Sequence, residues 1–304
     1  MNRRHFLVSS ASSVAALSLG RLPGWAQQPQ GAPPVTTFNE LRRGVGYFTG
    51  QGGTIGYLLS ADGAIAVDSQ FPATAGACVE GLKQKAPKGV ELLINTHHHG
   101  DHTSGNPVFK PVVKHIVCQE KCLEWHQKTA AAATNAAPPA YADVTFGESW
   151  STTLGDEKVW AFYNGIGHTS GDAIVVFEKA NVIHMGDLMF NRLHPRLDVG
   201  AGGSARNWIK VLDKVSRGHR DATFIFGHAK AGMPVTGSVK ELEYFKDYLS
   251  RVVDIVQKSI SAKQSKEELV KTAEIPGFPD HASSGQVLTV AGILGSVYDE
   301  ITTR

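Results

Sequence analysis

Short apolar runs alternate with polar, glycine-rich turns along most of this chain, the pattern of half-buried and fully buried strands. Residues 45–49, 55–59 and 64–68 form one such series, divided by Gln51-Gly52-Gly53 and Ala61-Asp62-Gly63. Further strands are predicted over 90–94, 114–117, 144–146, 149–154, 159–164, 173–177, 182–185 and 223–226. Helical spacing replaces alternation over 73–85, 119–128, 207–216, 239–260, 266–272 and 287–300. The alanine-rich stretch 129–141 fits two readings, a helix extension broken at Pro138-Pro139 or a surface flap.

Composition narrows the class. Hydrophobic residues make up 42% of the 304, enough for a real core, and the 19% charged fraction is too low for a disordered chain. A net charge of +2 without a long basic run gives no reason to expect a nucleic-acid partner. Past the N-terminus no apolar run is long enough for a membrane span. The three cysteines, Cys78, Cys118 and Cys122, contain no CxxC pair and are expected to be free or buried thiols.

The first 26 residues read as an address. Arg3-Arg4, a modest apolar segment from Leu7 to Leu19 and small residues at Gly24-Trp25-Ala26 resemble a twin-arginine export signal. That implies the twin-arginine export machinery as a partner. It also implies a mature protein that reaches the periplasm or exterior already folded.

Chemistry concentrates where the strand 90–94 ends. His97, His99, Asp101 and His102 fall within six residues. Residues two apart on an extended chain share a face, so His97 and His99 can grip one cation while His98 points away. Beyond the turn at Gly100, Asp101 and His102 can reach a second. Imidazole and carboxylate suit zinc, and also iron or manganese. His168, Asp187 and His228 each stand in a turn after an apolar strand and complete a candidate set of seven. Asp68 ends another strand, and a buried carboxylate there should be hydrogen-bonded, to the backbone of the ligand loop. His184 reads as a core histidine. His115, His126, His219 and His281 read as surface or packing residues.

The run His97-x-His99-x-Asp101-His102, with Gly-His168-Thr-Ser-Gly-Asp, Met-Gly-Asp187 and Gly-His228, resembles the metallo-β-lactamase fold superfamily over about residues 38–260. The resemblance implies a four-layer αββα sandwich with its metals at one edge. Residues 27–37 are then a flexible leader and 261–304 a C-terminal helical extension packed on the catalytic domain. It assigns His97, His99 and His168 to one metal, Asp101, His102 and His228 to the other, and Asp187 as the bridge. The aspartate at 187, where zinc β-lactamases of this fold carry Cys or Ser, is similar to the hydroxyacylglutathione-hydrolase-like branch. No clear glutathione-binding set follows it.

The expected activity is hydrolysis of a small-molecule ester, lactone, thioester or lactam by two zinc ions and a metal-bridging hydroxide, with Asp101 and Asp187 as the catalytic carboxylates. β-Lactamase-like antibiotic hydrolysis, an iron-dependent redox enzyme and a non-catalytic periplasmic metal-binding protein are the alternatives. Arg192, His194 and Arg196 are expected at the substrate mouth. Together with Arg206, the two mouth arginines would favour an anionic substrate.

Overall fold

The computed structural model describes residues 34–133 and 138–303. The export signal expected over 1–26, and most of the leader after it, lie outside the described residues.

Two sheets result from the alternation. The first runs β1 (Thr37–Arg42), β2 (Val45–Thr49), β3 (Ile55–Ser60), β4 (Gly63–Val67), β5 (Val90–Asn95), β6 (His115–Gln119) and β7 (Val144–Phe146) in spatial order. Its pairings are antiparallel as far as β4 and parallel from β4 to β7. The second contains β8 (Ser149–Leu154), β9 (Glu157–Tyr163), β10 (Ala173–Phe177) and β11 (Val182–His184). After β12 (Phe190–Asn191), the chain adds β13 (Thr223–Ile225) and β15 (Thr236–Gly237) to this sheet, with β14 (His228–Ala229) between them in sequence. Its order is β15-β13-β11-β10-β9-β8, and β12 and β14 form a separate parallel pair.

Successive residues on a strand face opposite sides, and here both sides are covered. On β4, Ile65 and Val67 enter the core between the sheets, whereas Ala64 and Ala66 pack under helices. Strand β10 does the same, with Val175 and Phe177 between the sheets and Ile174 and Val176 outward. Four layers follow. The first sheet is covered by α1 (Pro72–Lys85), α3 (Asn106–Phe109) and α4 (Glu120–Ala132); α2 (Gly100–Thr103) lies at the ligand loop. The second is covered by α5 (Ala205–Gly218), α6 (Val239–Ser261) and, beyond α7 (Lys266–Leu269), α8 (Val290–Thr303). Helix α5 turns a stripe of Trp208, Val211, Leu212 and Val215 inward, the i, i+3, i+4, i+7 spacing of one helix face. The N-terminus of α6 is closed by a capping box between Ser238 and Glu241.

Three sequence expectations need correction. Strand β1 was not expected; a register shift between Glu40 and Arg42 interrupts its alternation. The helix expected over 266–272 is a single turn, after which Lys271 and Thr272 bond only three residues back. The last helix starts at Val290 rather than 287, because Ser284 N–H donates to the Leu288 carbonyl and Thr289 Oγ1 accepts from Gly292 N–H. Cys78, Cys118 and Cys122 are buried free thiols, as expected. No helix among the described residues is long and apolar enough to cross a membrane.

Candidate metal centre

Each candidate ligand follows a strand and lies at one edge of the sandwich. His97–His99 leave β5, and Asp101 and His102 sit in α2 just beyond. His168 lies in the loop between β9 and β10, Asp187 in a 3-10 turn after β11, and His228 opens β14 after β13. Hydrogen bonds between loops fix this edge. Ala173 N donates to Thr96 O at 2.8 Å, Thr54 N to Gly227 O at 2.9 Å and Gly53 N to Asp101 O at 3.1 Å.

The seven side chains form two groups that share one residue. His97, His99, His168 and Asp187 have ligand atoms within 4.8 Å of one another, and so do Asp101, His102, Asp187 and His228. Asp187 Oδ2 lies 3.8 Å from His97 Nε2 and 3.6 Å from His168 Nε2. Its Oδ1 lies 3.0 Å from His102 Nε2 and 3.2 Å from His228 Nε2. The carboxylate thus turns one oxygen to each group. Side-chain exposure is 17% at His228 and 16% at Asp101 but 5% or less at Asp187, His102 and His168. Solvent therefore reaches the centre from the Asp101–His228 side.

Hydrogen bonds at the far side of each ring set which nitrogen is bare. Thr96 Oγ1 donates to Asp68 Oδ2 (2.8 Å), so it accepts from His97 Nδ1 (3.0 Å). His99 Nε2 donates to Asp198 Oδ2 (2.8 Å), His168 Nδ1 to the Arg196 carbonyl (2.7 Å) and His102 Nδ1 to Asp68 Oδ2 (2.8 Å). Burial holds His97 well below the usual imidazole range and His168 down at about 3, so both are neutral. The inward nitrogens of His97 and His168 therefore present lone pairs, and both converge on His99 Nδ1. His99 Nδ1 is 3.2 Å from His97 Nε2 and 2.8 Å from His168 Nε2. Two nitrogens on one tetrahedral zinc stand about 3.3 Å apart. Nitrogens converging this closely call for a shared proton or a cation among them.

The second group calls for positive charge in another way. Burial pulls His228 down, but the carboxylates of Asp187 and Asp101 outweigh it and hold it up at about 10. Burial likewise lowers His102, and Asp187, Asp101 and Asp68 reverse the shift. Asp187 Oδ1 is buried and lacks a partner with hydrogen-bond geometry. A divalent cation satisfies both conditions, so the residues fit a metal at each position.

Supporting residues fall into place around these groups. Asp68, fully buried, accepts from Thr96 N (2.8 Å), Thr96 Oγ1 and His102 Nδ1. It thereby ties β4 to the ligand loop of β5. His98 lies outside these two groups, its ring 6.2 Å from that of Trp125 and its Nε2 3.9 Å from Asp198 Oδ2; with His99 and Asp198 it forms a third cluster of ligand atoms within 4.8 Å of one another. Phe190 stacks on His228 at 5.2 Å, and the β12–β14 pairing sets that contact. Thr96 and Asp198 carry no assigned role in a reading of the chain alone. Asp198 lies 99 residues from the histidine it supports.

The expected substrate mouth needs revision. His194 is buried among the helices, with its Nδ1 2.8 Å from Tyr248 Oη on α6. The Arg192 guanidinium covers the Tyr244 ring at 3.5 Å, and Arg206 turns to the buried Glu300, 3.4 Å away. Arg196 does stand beside the centre, but paired with Asp198 at 3.0 Å. All three arginines are thus engaged by protein groups. His184 is a core residue, with Nε2 2.9 Å from the Thr54 carbonyl. His126 and His281 pack on Tyr141 and Tyr248, and His115 is exposed beside Asp143.

Close backbone approach leaves no room for larger residues here. A Cβ at Gly227 would meet Asp187 Oδ1 at 2.1 Å and the Gly186 carbonyl oxygen at 2.7 Å. Gly227→Ala is therefore expected to push Asp187 out of place and to lower bound metal by at least one equivalent, read by elemental analysis of the purified variant. Full metal content would show that the turn shifts instead.

A sandwich of two sheets with a His/Asp centre at one edge defines a metallohydrolase-type class. The family model described as the metallo-beta-lactamase superfamily matches residues 49–228. The chain belongs to that superfamily. Among curated proteins, a metallo-beta-lactamase type 2 of Bacillus sp. (strain 170) is 25% identical over 195 residues, covering 62% of this chain and 72% of its own length. The hydroxyacylglutathione hydrolase of Methylococcus capsulatus is 29% identical over 138 residues, 44% of this chain and 47% of its own. The structure of a metallo-beta-lactamase from Pontibacter korlensis matches with a TM-score of 0.60 at 16% identity, covering 71% of this chain and 99% of that one. The stereoselective inverting sec-alkylsulfatase Pisa1 from Pseudomonas sp. matches with a TM-score of 0.69 at 15% identity, covering 88% and 50%. At these identities the structures show the shared fold.

Proposed function

We propose that the protein is a dinuclear zinc hydrolase acting on a carbonyl compound of the ester, lactone, thioester or lactam class. The observation that carries this reading is the split engagement of Asp187, one oxygen toward each His-rich group. When bound, a pair of such cations supplies Lewis acidity and makes water a nucleophile near neutral pH. His97, His99 and His168 would hold the first ion, Asp101, His102 and His228 the second, and Asp187 would set their separation. Asp101 stands at the open rim, its Oδ2 3.1 Å from His228 Nε2. On this reading it would also orient the nucleophilic oxygen. The rings of His97, His99, His168 and His102 are locked by their outer hydrogen bonds, so the centre is organised before substrate arrives. We also propose that the chain works outside the cytoplasm, on the strength of its twin-arginine-like N-terminus.

Zinc-loaded protein should be tested on chromogenic esters, a lactone, a cephalosporin, a phosphodiester and a secondary alkyl sulfate, with His99→Ala as control. Turnover of at least one carbonyl substrate is expected, and the variant should lose most activity and much bound zinc. An inert zinc-loaded protein, or a His99→Ala protein that keeps both properties, would overturn the proposal.

A further inference from the structure

One turn touches two of the three histidines in the first group. The carbonyl of Arg196 accepts from His168 Nδ1 at 2.7 Å, and the carboxylate of Asp198 accepts from His99 Nε2 at 2.8 Å. The turn is itself clamped to the His168 loop, with Asp198 N donating to His168 O at 3.0 Å and Gly203 N to Asp198 O at 2.8 Å. The Asp198 carboxylate has little freedom. Its Oδ1 accepts from Ala201 N at 2.9 Å, and its Oδ2 also meets Arg196 Nη2 at 3.0 Å. Among the described residues no such hydrogen bond joins this turn to Asp101, His102 or His228; Asp68 holds His102 and Phe190 stacks on His228.

We infer that the Arg196–Asp198 turn is a positioning device for the first metal position alone, with Asp198 aiming His99 Nδ1 into that group. Three histidines can ligate one ion only if their lone pairs converge. A ring free to rotate about its side-chain bonds has to be ordered when the ion binds. Partners to the outer nitrogens of metal-ligating histidines are worth about 10- to 100-fold in metal affinity. The inference rests on the dinuclear reading above, but its consequence is unequal loss at the two positions.

The test is cobalt titration of the metal-free full chain, followed by visible absorption and by competition with a chelator. Wild-type protein is expected to bind two equivalents. If it binds none, the dinuclear reading fails, and the role of Asp198 falls with it. Asp198→Ala should weaken one equivalent about 10- to 100-fold and change the absorption bands that belong to it. The other equivalent should stay within about threefold of wild type. Asp198→Asn keeps an oxygen for the His99 N–H without the charge and should restore much of the lost affinity. It also serves if the alanine variant does not fold. Two wild-type equivalents with unchanged bands in a folded Asp198→Ala protein would overturn the inference. So would equal weakening of both, which is the mark of a general structural role.

Discussion

Asp187→Ala is expected to cost roughly a thousand-fold or more in turnover and to weaken metal binding at both positions together. Among the seven proposed ligands, no other side chain should do the latter. The reason is geometric: Oδ2 belongs to the His97–His168 side and Oδ1 to the His102–His228 side. Removing His99 would strip one position directly, whereas removing Asp187 takes a ligand from each. On the proposed mechanism, several kcal/mol of charge stabilisation at the reacting carbonyl would depend on bound cations, and about 4 kcal/mol corresponds to the thousand-fold figure. The metal-free variant should also be less stable. Burial penalises the Asp187 carboxylate, but His228 and His102 outweigh that and hold it well below the carboxylate range, so its loss leaves their charge without a partner. Elemental analysis, a thermal melt and steady-state kinetics on one preparation check all three points. A variant that retains two tightly bound ions would remove the bridge from the argument.

Asp68→Ala should show the opposite balance, a large loss of stability with metal loss as its consequence. The carboxylate is fully buried and takes three donors: Thr96 N, Thr96 Oγ1 and His102 Nδ1. A buried donor left without a partner costs about 1–3 kcal/mol, so losing this acceptor should cost roughly 3–5 kcal/mol in all. That is a large share of the 5–15 kcal/mol typical of a folded chain. Asp68 also has φ 68°, in the left-handed region that Asp and Asn tolerate better than most residues. Asp68→Asn keeps that backbone and one acceptor and is expected to be the milder change. Chemical denaturation of the two metal-free variants against wild type measures the difference. Equal stability of all three would mean that water replaces the carboxylate.

Much of the centre is legible in the chain because its signal is local. His97 and His99 alternate on the exit from an apolar strand, and Asp187 and His228 follow apolar strands closely. Strand period and turn residues are short-range properties, and they place these groups at strand ends. The supports are long-range. His194 looks like a rim residue between two arginines until Tyr248, 54 positions later, supplies its hydrogen-bond partner. Arg206 looks available to an anion until Glu300 arrives from the last helix. Asp198 has no neighbour in sequence that hints at His99. Strand β1 is illegible in the chain for a different reason: its bulge breaks the alternation that marks a strand.

The candidate ligands are divided between the two halves of the chain: His97, His99, Asp101 and His102 follow β5 of the first sheet, while His168, Asp187 and His228 follow β9, β11 and β13 of the second. On the dinuclear reading, neither half of the polypeptide would supply the full ligand set by itself, and full loading during synthesis would wait until His228 has emerged and the halves have closed on each other. Chelation would release a rivet between the halves, so stripping the ions should loosen the seam between the sheets before either outer helical layer.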